Sequence, residues 1–244
     1  MGTGRTTDMI LGERTARGRK KRIRLVSVII PTFNEAGNLR RVLSGVKDVL
    51  DGVYDYEIIV VDKHSADGTA RIARSMGATV IYDDIGKGSA LMAGFRAAHG
   101  DVVISMDADL SNRPDELKLL IAGIDAGYDV CMGSRFLTGG GSEDMPFIRR
   151  VGDKFFVGLV NLLYGSHYSD MCYGYRSFAR GVADRLDLNE KGFGIETEIS
   201  IRAQQKRLKV LEVPSLEKKR ASGRGHLRTF SDGWIILKTI LKNR

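Results

Sequence analysis

The chain has 244 residues, of which 43% are hydrophobic and 28% are charged. These values are ordinary for one globular domain and exclude a fibrous or wholly disordered protein. The formal net charge of +8 comes from the two ends, because residues 1–24 and 217–244 each carry eight Lys or Arg against two acidic residues. The negative middle argues against a nucleic-acid-binding protein, whereas basic ends suit an anionic membrane surface or a phosphate-bearing partner.

Neither the cysteines nor the histidines are spaced as metal ligands. Cys131 and Cys172 are isolated and the four histidines are scattered, so we expect no zinc site, no disulfide framework and a reducing compartment. Residues 1–24 lack the apolar stretch of a secretory leader, and no run reaches the ~20 apolar residues of a membrane span. We therefore expect a cytoplasmic protein, soluble or peripheral on the membrane, with a disordered basic tail over 1–24.

Regular structure is predicted to begin at Leu25, where an apolar, β-branched run leads into Pro31. Such a run is typical of a buried parallel strand. Helices and strands then alternate up to residue 133. The predicted helices span 35–49, 67–76, 89–99 and 114–126, and the predicted strands span 57–61, 79–82, 101–106 and 129–132. This alternation predicts right-handed crossovers and a mostly parallel sheet in an α/β fold.

The alternation stops after Gly133, and the second half of the chain is more irregular. It contains a glycine-rich loop at 139–142, an amphipathic segment over 151–164, strand candidates near 171–173 and 210–214, and a helix over 196–207. A last amphipathic helix is predicted at 230–241. The chain therefore divides into the tail 1–24, one domain over 25–229 and a C-terminal helix within 230–244.

Polar and acidic residues follow three of the predicted strands. Residues 31–35 follow the first strand, Asp62 follows the second, and Asp107 and Asp109 follow the fourth. Ligands of an open parallel sheet bind at the carboxyl ends of its strands, so these residues are expected to meet in one crevice. No glycine-rich dinucleotide or P-loop motif follows the first strand, which excludes the usual sites of those two kinds.

Asp107 and Asp109 are the strongest candidates for a metal site. Two carboxylates one residue apart, just beyond an apolar strand, can hold Mg²⁺ or Mn²⁺ while the cation bridges a substrate diphosphate. Such a cation acts as a Lewis acid that stabilises the charge of a departing nucleoside diphosphate. The alternative is that the pair merely caps the helix that starts near Pro114, and the short motif alone would favour that alternative.

An ordered set of motifs surrounds the two aspartates. They are Val26 to Glu35, Val60 to Asp62, Asp67 to Thr69, Gly86 to Gly88, and Met106 to Ser111 followed by Pro114 and Glu116. Together they resemble family 2 glycosyltransferases, most closely the polyprenyl-phosphate hexose synthases typified by dolichol-phosphate mannose synthase. The resemblance extends from about Leu25 to Leu241. It implies a GT-A, Rossmann-like α/β domain in which 25–133 bind a nucleotide sugar and 134–229 form the acceptor half.

The resemblance also implies roles for individual residues. Those implied to bind the nucleotide sugar are Pro31, Phe33, Glu35, Asp62, Lys87, Asp107 and Ala108. Asp107 and Asp109 are implied to hold Mg²⁺ or Mn²⁺, with Asp109 as a catalytic residue. Those implied to bind the acceptor phosphate are Arg135, Arg149, Arg220 and Arg224. Guanidinium groups suit that task, and the alternative for these arginines is simple solvation at the surface.

The reaction implied by the resemblance is an inverting transfer of a hexose from a GDP-mannose or UDP-glucose type of donor to a polyprenyl phosphate. An anionic phosphate oxygen needs no general base, whereas a hydroxyl acceptor would need one, and Asp170 is then the best candidate. Asp170 could equally cap a turn. Transfer to a soluble hydroxyl acceptor stays open as an alternative function, and a nucleotidyltransferase is a weaker one because the first strand lacks a glycine-rich basic loop.

The sequence departs from the pattern of the family at three places. Lys63 stands where a second acidic residue usually follows Asp62, and Gly223 to His226 replaces a C-terminal Gly-Glu-Ser-Lys loop. Asp153 stands where a serine assists the acceptor phosphate in the closest relatives, and a carboxylate there would repel phosphate. These departures concern the nucleobase and the acceptor rather than the metal.

Overall fold

A computed structural model describes residues 23–221 and 229–244, with side chains from residue 232 onward in the second range. The strands in these ranges are β1 (Leu25–Thr32), β2 (Asp55–Asp62), β3 (Thr79–Tyr82), β4 (Val102–Ser105), β5 (Val130–Ser134), β6 (Gly141–Ser142), β7 (Arg176–Ala179), β8 (Val210–Pro214) and β9 (Leu216–Glu217). The helices are α1 (Ala36–Leu50), α2 (Thr69–Ser75), α3 (Lys87–Ala97), α4 (Leu117–Asp125), α5 (Phe147–Tyr164), α6 (Val182–Arg185), α7 (Ile195–Gln205) and α8 (Thr229–Lys242). A short 3₁₀ turn, Pro114–Glu116, precedes α4. Most of the predicted basic tail lies outside the described residues.

Seven strands form the central sheet, in the order β3-β2-β1-β4-β7-β5-β8. Neighbouring strands are parallel except at β7, which is antiparallel to both β4 and β5. β1 pairs with β2 along its whole length, from Leu25 opposite Asp55 to Thr32 opposite Asp62. The expectation of a mostly parallel sheet flanked by helices in a single α/β domain is confirmed.

β1 is buried because helices cover both faces of the sheet. Its alternate residues Val28 and Ile30 pack into the hydrophobic cluster that contains Leu39 of α1. Ile29 points to the opposite face, into the cluster that contains Phe95 of α3. A strand that is buried on both faces has a continuous apolar sequence. This is why β1 was correctly predicted to begin at Leu25.

The predicted strand near 171–173 is wrong, because residues 170–175 are irregular and β7 begins only at Arg176. The carbonyl groups of Met171 and Tyr173 accept hydrogen bonds from the guanidinium of Arg176. A fully buried arginine therefore uses backbone acceptors that a strand would need for its own ladder. Met171 and Tyr173 are themselves buried, which explains why the segment resembles a strand in sequence.

A third hydrophobic cluster joins the helices of the second half to the sheet. Val157 and Val160 of α5 lie in this cluster with Ile240 of α8 and Ile201 of α7. The hydroxyl of Tyr164 donates a hydrogen bond to the carbonyl of Ile240, at 2.5 Å. Neither α5 nor α8, nor any other helix within the described ranges, combines the length and the apolar character that crossing a membrane requires.

Candidate active site

A cleft of about 480 Å³ lies at the carboxyl ends of β1, β2 and β4. The residues predicted for the site that line this cleft are Pro31, Phe33, Glu35, Lys87, Asp107, Ala108, Asp109 and Arg220. Residues from the loops after three strands thus meet in one place, together with one arginine from the far end of the chain. Asp62, Arg135, Arg149 and Asp170 do not line the cleft, and Arg224 lies outside the described residues.

Asp62 supports the floor of the cleft from beneath. Its side chain is fully buried and accepts hydrogen bonds from the hydroxyl of Thr32 at 2.9 Å and from the amide and hydroxyl of Ser65 at 2.9 and 2.6 Å. These bonds fix the loop after β2 to the end of β1. The ammonium group of Lys63 in this loop lies 5.7 Å from the ring centre of Phe33. A cation and an exposed aromatic ring therefore lie side by side at this end of the cleft.

Lys87 lies between two carboxylates at the start of α3. Its ammonium nitrogen is 2.8 Å from Asp107 Oδ1 and 2.8 Å from Glu196 Oε1. Burial opposes the charge on Lys87, but Asp107 and Glu196 outweigh that effect and raise the pKa of Lys87 above its ordinary value. Lys87 therefore remains a cation at any physiological pH, and it connects Glu196 of α7 to Asp107.

The two glycines beside Lys87 allow this close approach. A Cβ atom on Gly88 would lie 2.2 Å from the carbonyl oxygen of Glu190, and one on Gly86 would lie 2.6 Å from that of Lys191. The amide of Ser89 donates to the same Lys191 carbonyl at 3.1 Å. Only glycine fits where the start of α3 presses against this loop, so the Gly-Lys-Gly motif positions its lysine.

Arg220 spans the other side of the cleft. Its guanidinium donates to Asp109 Oδ2 at 3.0 Å through one nitrogen and to the Glu35 carboxylate through another. The chain around Arg220 is anchored to the aspartate loop, since the amide of Ala221 donates to the Asp109 carbonyl and the amide of Lys218 donates to the Ser111 carbonyl. Each of the two motif aspartates is thus paired with a different basic side chain.

The donor set in the cleft fits a hard divalent cation that also binds a diphosphate. Across residues 23–221 and 229–244 no cluster of three or more acidic, His or Cys side chains is arranged as a metal cage. Asp107 and Asp109 supply two carboxylates, and Mg²⁺ commonly uses one or two carboxylates completed by substrate phosphates and water. The side chains of Asp107 and Asp109 are 31% and 20% exposed, so both reach the cleft.

Sequence reasoning missed a buried polar relay behind Asp107. Asn112 is 1% exposed, accepts a hydrogen bond from the Asp107 amide at 2.6 Å and donates to the hydroxyl of Tyr173 at 2.9 Å. The hydroxyl of Ser215 lies 3.4 Å from that of Tyr173 and donates to the Glu116 carboxylate. The relay links the loop that carries Asp107 and Asp109 to the second half of the chain. Its only sequence signal is an asparagine shortly after the Asp-x-Asp pair.

Arg135 lies in a buried cluster beyond the cleft. Its side chain is 1% exposed and forms a two-bond pair with Asp170, with Nε–Oδ2 at 2.7 Å and Nη2–Oδ1 at 3.0 Å. Asp153 of α5 and Glu217 of β9 lie 3.2 and 3.3 Å from the same guanidinium. Burial opposes the charge on Arg135, but the three carboxylates raise its pKa above the ordinary value.

The carboxylates of this cluster differ in how easily they ionise. Burial alone would raise the pKa of Asp170, but its pair with Arg135 lowers that pKa below the usual value. Burial raises the pKa of Asp153, and Arg135 and Arg149 only partly offset the effect. Asp170 is thus fully buried and firmly ionised. Asp153 is the carboxylate of the cluster whose ionised form burial destabilises.

Residues 27–186 match the family model described as Glycosyl transferase family 2. A dolichol-phosphate mannosyltransferase of Pyrococcus furiosus is 37% identical over 211 residues, which cover 83% of this chain and 59% of that protein. A polyprenol monophosphomannose synthase of Mycolicibacterium smegmatis is 34% identical over 202 residues, which cover 77% of this chain and 75% of that protein. The chain therefore spans little more than half the length of the first of these relatives.

Glucosyl-3-phosphoglycerate synthase from Mycobacterium tuberculosis, crystallised with Mn²⁺, UDP and glucosyl-3-phosphoglycerate, has a similar structure. The TM-score is 0.71 at 22% sequence identity, over 90% of this chain and 80% of that one. This similarity shows a shared fold of the GT-A type. The family model matches well over half of the residues of the chain and agrees with this fold. The chain therefore belongs to glycosyl transferase family 2.

Proposed function

We propose that this protein transfers a hexose, with inversion, from a nucleoside diphosphate sugar to a polyprenyl-phosphate-like acceptor. The observation that carries the proposal is the cleft in which Asp107 and Asp109 lie beside Lys87 and Arg220. Two anionic and two cationic groups at the ends of parallel strands can hold a diphosphate and a divalent cation together. The names of the mannosyltransferase and mannose synthase relatives support the choice of donor and acceptor.

In this proposal the donor occupies the cleft. Its nucleoside lies against Pro31, Phe33, Glu35 and Ala108, over the floor that Asp62 stabilises. Asp107 and Asp109 hold Mg²⁺ or Mn²⁺, which supplies Lewis-acid stabilisation of the leaving diphosphate when bound. Lys87 and Arg220 add fixed positive charge around the same phosphates. Because Lys87 keeps its proton, it balances charge and does not act as an acid.

The burial of Asp170 favours a phosphate acceptor over a hydroxyl acceptor. A hydroxyl needs a general base within hydrogen-bond reach, but Asp170 is fully buried and paired with Arg135. A phosphate oxygen is already ionised and attacks the anomeric carbon without that help. Arg220 pairs with Asp109 in the cleft and so faces the donor diphosphate, whereas we assign Arg149 and Arg224 to the acceptor phosphate. Arg135 contacts the acceptor phosphate only if Asp153 or Glu217 moves away from its guanidinium.

The basic ends are part of the same proposal. A lipid-phosphate acceptor lies in a membrane, and residues 1–24 and 217–244 each carry excess positive charge. Basic segments are attracted to anionic lipid headgroups by about 1 kcal/mol per Lys or Arg near the surface. We therefore place the protein at the cytoplasmic surface of a membrane, held there in part by its ends.

A thermal-shift panel followed by a transfer assay tests the proposed function. The melting temperature of the protein is measured with GDP- and UDP-sugars, each with and without Mn²⁺. One donor class is expected to raise it in a Mn²⁺-dependent way, because a ligand that binds only the folded state stabilises it. Transfer from that donor is then compared between polyprenyl phosphate and polyprenol. Transfer to the alcohol alone would contradict the phosphate acceptor, and no response to any nucleotide sugar would contradict the whole proposal.

A further inference from the structure

Glu196 lies next to the cleft without lining it. Its side chain is 7% exposed, whereas that of Asp107 is 31% exposed and lines the cleft. Both carboxylates lie 2.8 Å from the ammonium nitrogen of Lys87. Lys87 is therefore shared between one carboxylate that a ligand in the cleft can reach and one that such a ligand cannot reach.

The buried position of Glu196 is fixed by its own helix and by Arg176. Glu196 lies in the first turn of α7, where the helix dipole favours a carboxylate. Its carbonyl accepts a hydrogen bond from Nη1 of the fully buried Arg176, at 3.0 Å. The carboxylate of Glu196 therefore has little freedom to move into the cleft.

Gly174 packs directly against all three charged groups. A Cβ atom at this position would lie 3.1 Å from Lys87 Nζ, 3.2 Å from Glu196 Oε1 and 3.5 Å from Asp107 Oδ2. The Gly174 carbonyl accepts a hydrogen bond from the buried Ser105 hydroxyl at 2.8 Å, which fixes this peptide to the end of β4. The space around the ammonium group of Lys87 is therefore narrow.

A divalent cation on Asp107 would weaken one of the two attractions that hold Lys87. A carboxylate that binds such a cation no longer offers its full negative charge to an ammonium group, and two positive charges beside one carboxylate repel each other. Burial opposes the positive charge of Lys87, so that charge needs a nearby carboxylate. Glu196 is the carboxylate that remains.

We propose that Glu196 is a positioning residue, which keeps the Lys87 ammonium group at the edge of the cleft when Asp107 binds a divalent cation. The inference rests on the proposed function, because it takes a cation and a donor diphosphate as the ligands of the cleft. Glu196 touches neither ligand and acts only through Lys87. An ammonium group has three N–H donors, so Lys87 can donate to a diphosphate oxygen while another of its N–H groups stays on Glu196.

A double-mutant cycle on the full chain tests this role. The four proteins are the wild type, Glu196→Gln, Lys87→Ala and the double variant. Calorimetry measures the binding of GDP and of UDP to each protein in saturating Mn²⁺. For the nucleotide that the wild type binds more tightly, Glu196→Gln is expected to weaken binding about tenfold in the wild-type background and to cause no further loss in the Lys87→Ala background. Equal losses in the two backgrounds would overturn the proposal.

Glu198→Gln is the matched control, because it makes the same change on the same helix. Glu198 is 2% exposed and accepts hydrogen bonds from two backbone amides of the preceding loop, at 2.9 and 2.7 Å. Its loss should lower the melting temperature, and any effect on nucleotide binding should be the same with and without Lys87. A coupling to Lys87 as large as that of Glu196 would show a general effect of α7 and would overturn the proposal. The cycle also cancels any effect that Glu196→Gln has through Arg176, because that effect occurs in both backgrounds.

The binding of Mn²⁺ alone separates the remaining outcomes. Without the charge of Glu196, Lys87 pairs with Asp107 only and competes with the cation, so Glu196→Gln is expected to weaken Mn²⁺ binding several-fold. The double variant should bind Mn²⁺ at least as tightly as the wild type. Binding that stays weak in the double variant would overturn the proposal, since Glu196 would then act on the cation directly. A wild-type protein that binds neither Mn²⁺ nor a nucleoside diphosphate would contradict the proposed function and this role with it, whereas intact binding without coupling would overturn the role of Glu196 alone.

Discussion

Under the proposed mechanism, transfer depends most directly on the carboxylate of Asp109. Asp109→Ala removes a cation ligand and no core volume, since the side chain is 20% exposed. We expect transfer to fall by about three orders of magnitude, because the stabilisation supplied by a bound cation is several kcal/mol. Melting temperature and transfer at saturating Mn²⁺ are measured beside the control Asp115→Ala. Asp115 pairs with Arg113 at the surface, outside the cleft, and its loss should change neither value.

Arg220 determines how the cleft behaves towards a cation alone. Its guanidinium neutralises Asp109 and Glu35, so a cation that binds Asp109 competes with it. Arg220→Gln is expected to tighten the binding of Mn²⁺ alone several-fold and to weaken nucleoside diphosphate binding. Calorimetric titrations of both ligands check this, with Arg113→Gln as the control at an exposed ion pair. An unchanged Mn²⁺ affinity would show that Arg220 and the cation do not compete.

Single residues also show what sequence can and cannot reveal about the site. Asp107 and Asp109 follow a strand in a pattern that predicts a shared crevice, and the family resemblance adds Lys87; the structure brings the three together. The partners of Arg135 come from three separate segments, at Asp153, Asp170 and Glu217, and no local pattern records such long-range pairing. The sequence therefore predicted which residues meet at the carboxyl ends of the strands. It did not predict the buried ion pairs around Arg135.

At the scale of elements, Asp153 joins α5 to Arg135, which the proposed function places on the acceptor side. Burial raises the pKa of Asp153, so the native state loses stability relative to the unfolded state as pH rises through that raised pKa. Asp153→Ser should therefore stabilise the protein at neutral pH and have little effect below the usual range of an aspartate, where both states are protonated. Urea unfolding at pH 7 and at pH 3 measures the difference. Lower stability of the variant at pH 7 would show that the ion pair with Arg135 outweighs burial.

The same substitution has an expected effect on the acceptor. It removes a carboxylate 3.2 Å from Arg135 and frees part of that guanidinium for phosphate. The KM for the acceptor phosphate should fall several-fold, while the KM for the donor should not change. A parallel drop in both constants would contradict the assignment of this side of the protein to the acceptor.

The start of α3 depends on a close contact that tolerates no side chain. Gly88→Ala would place a Cβ atom 2.2 Å from the Glu190 carbonyl, so α3 must shift and carry Lys87 with it. We expect a loss of about 1–3 kcal/mol in unfolding free energy, together with weaker donor binding. Gly158→Ala is the control, because nothing lies within 4 Å of its Cβ position in α5. It should be neutral or slightly stabilising. Equal unfolding curves for the two variants would contradict the prediction.

Several elements of the structure agree closely with the prediction from sequence. The strands Thr79–Tyr82 and Val210–Pro214 have their predicted bounds, and α7 and α8 begin within one residue of the predicted positions. α5 begins at Phe147, four residues before the predicted amphipathic segment, because its first turn is exposed and apolar. Exposed apolar residues interrupt the alternation of apolar and polar faces by which an amphipathic helix is predicted from sequence.

At the scale of the whole molecule, the two halves of the chain are connected through polar groups and not only through core packing. Glu196 reaches Lys87, Arg220 reaches Asp109 and Glu35, and Tyr173 reaches Asn112. Under the proposed function, a donor bound in the first half is in direct electrostatic contact with the elements that would hold the acceptor. The fold class could be predicted from the alternation of strands and helices, but these connections depend on the tertiary structure.

The reversed direction of β7 determines which part of the second half lies beside the cleft. Since β7 runs opposite to β4, with Arg176 beside Ser105, its beginning and not its end lies where β4 stops. The peptide that leads into β7 therefore lies beside the cleft, and a Cβ atom on Gly174 would come within 3.1 Å of the Lys87 ammonium. Under the proposed function, changes in this lead-in are therefore expected to alter the acceptor side of the cleft while the residues that follow β1 and β2 keep their places.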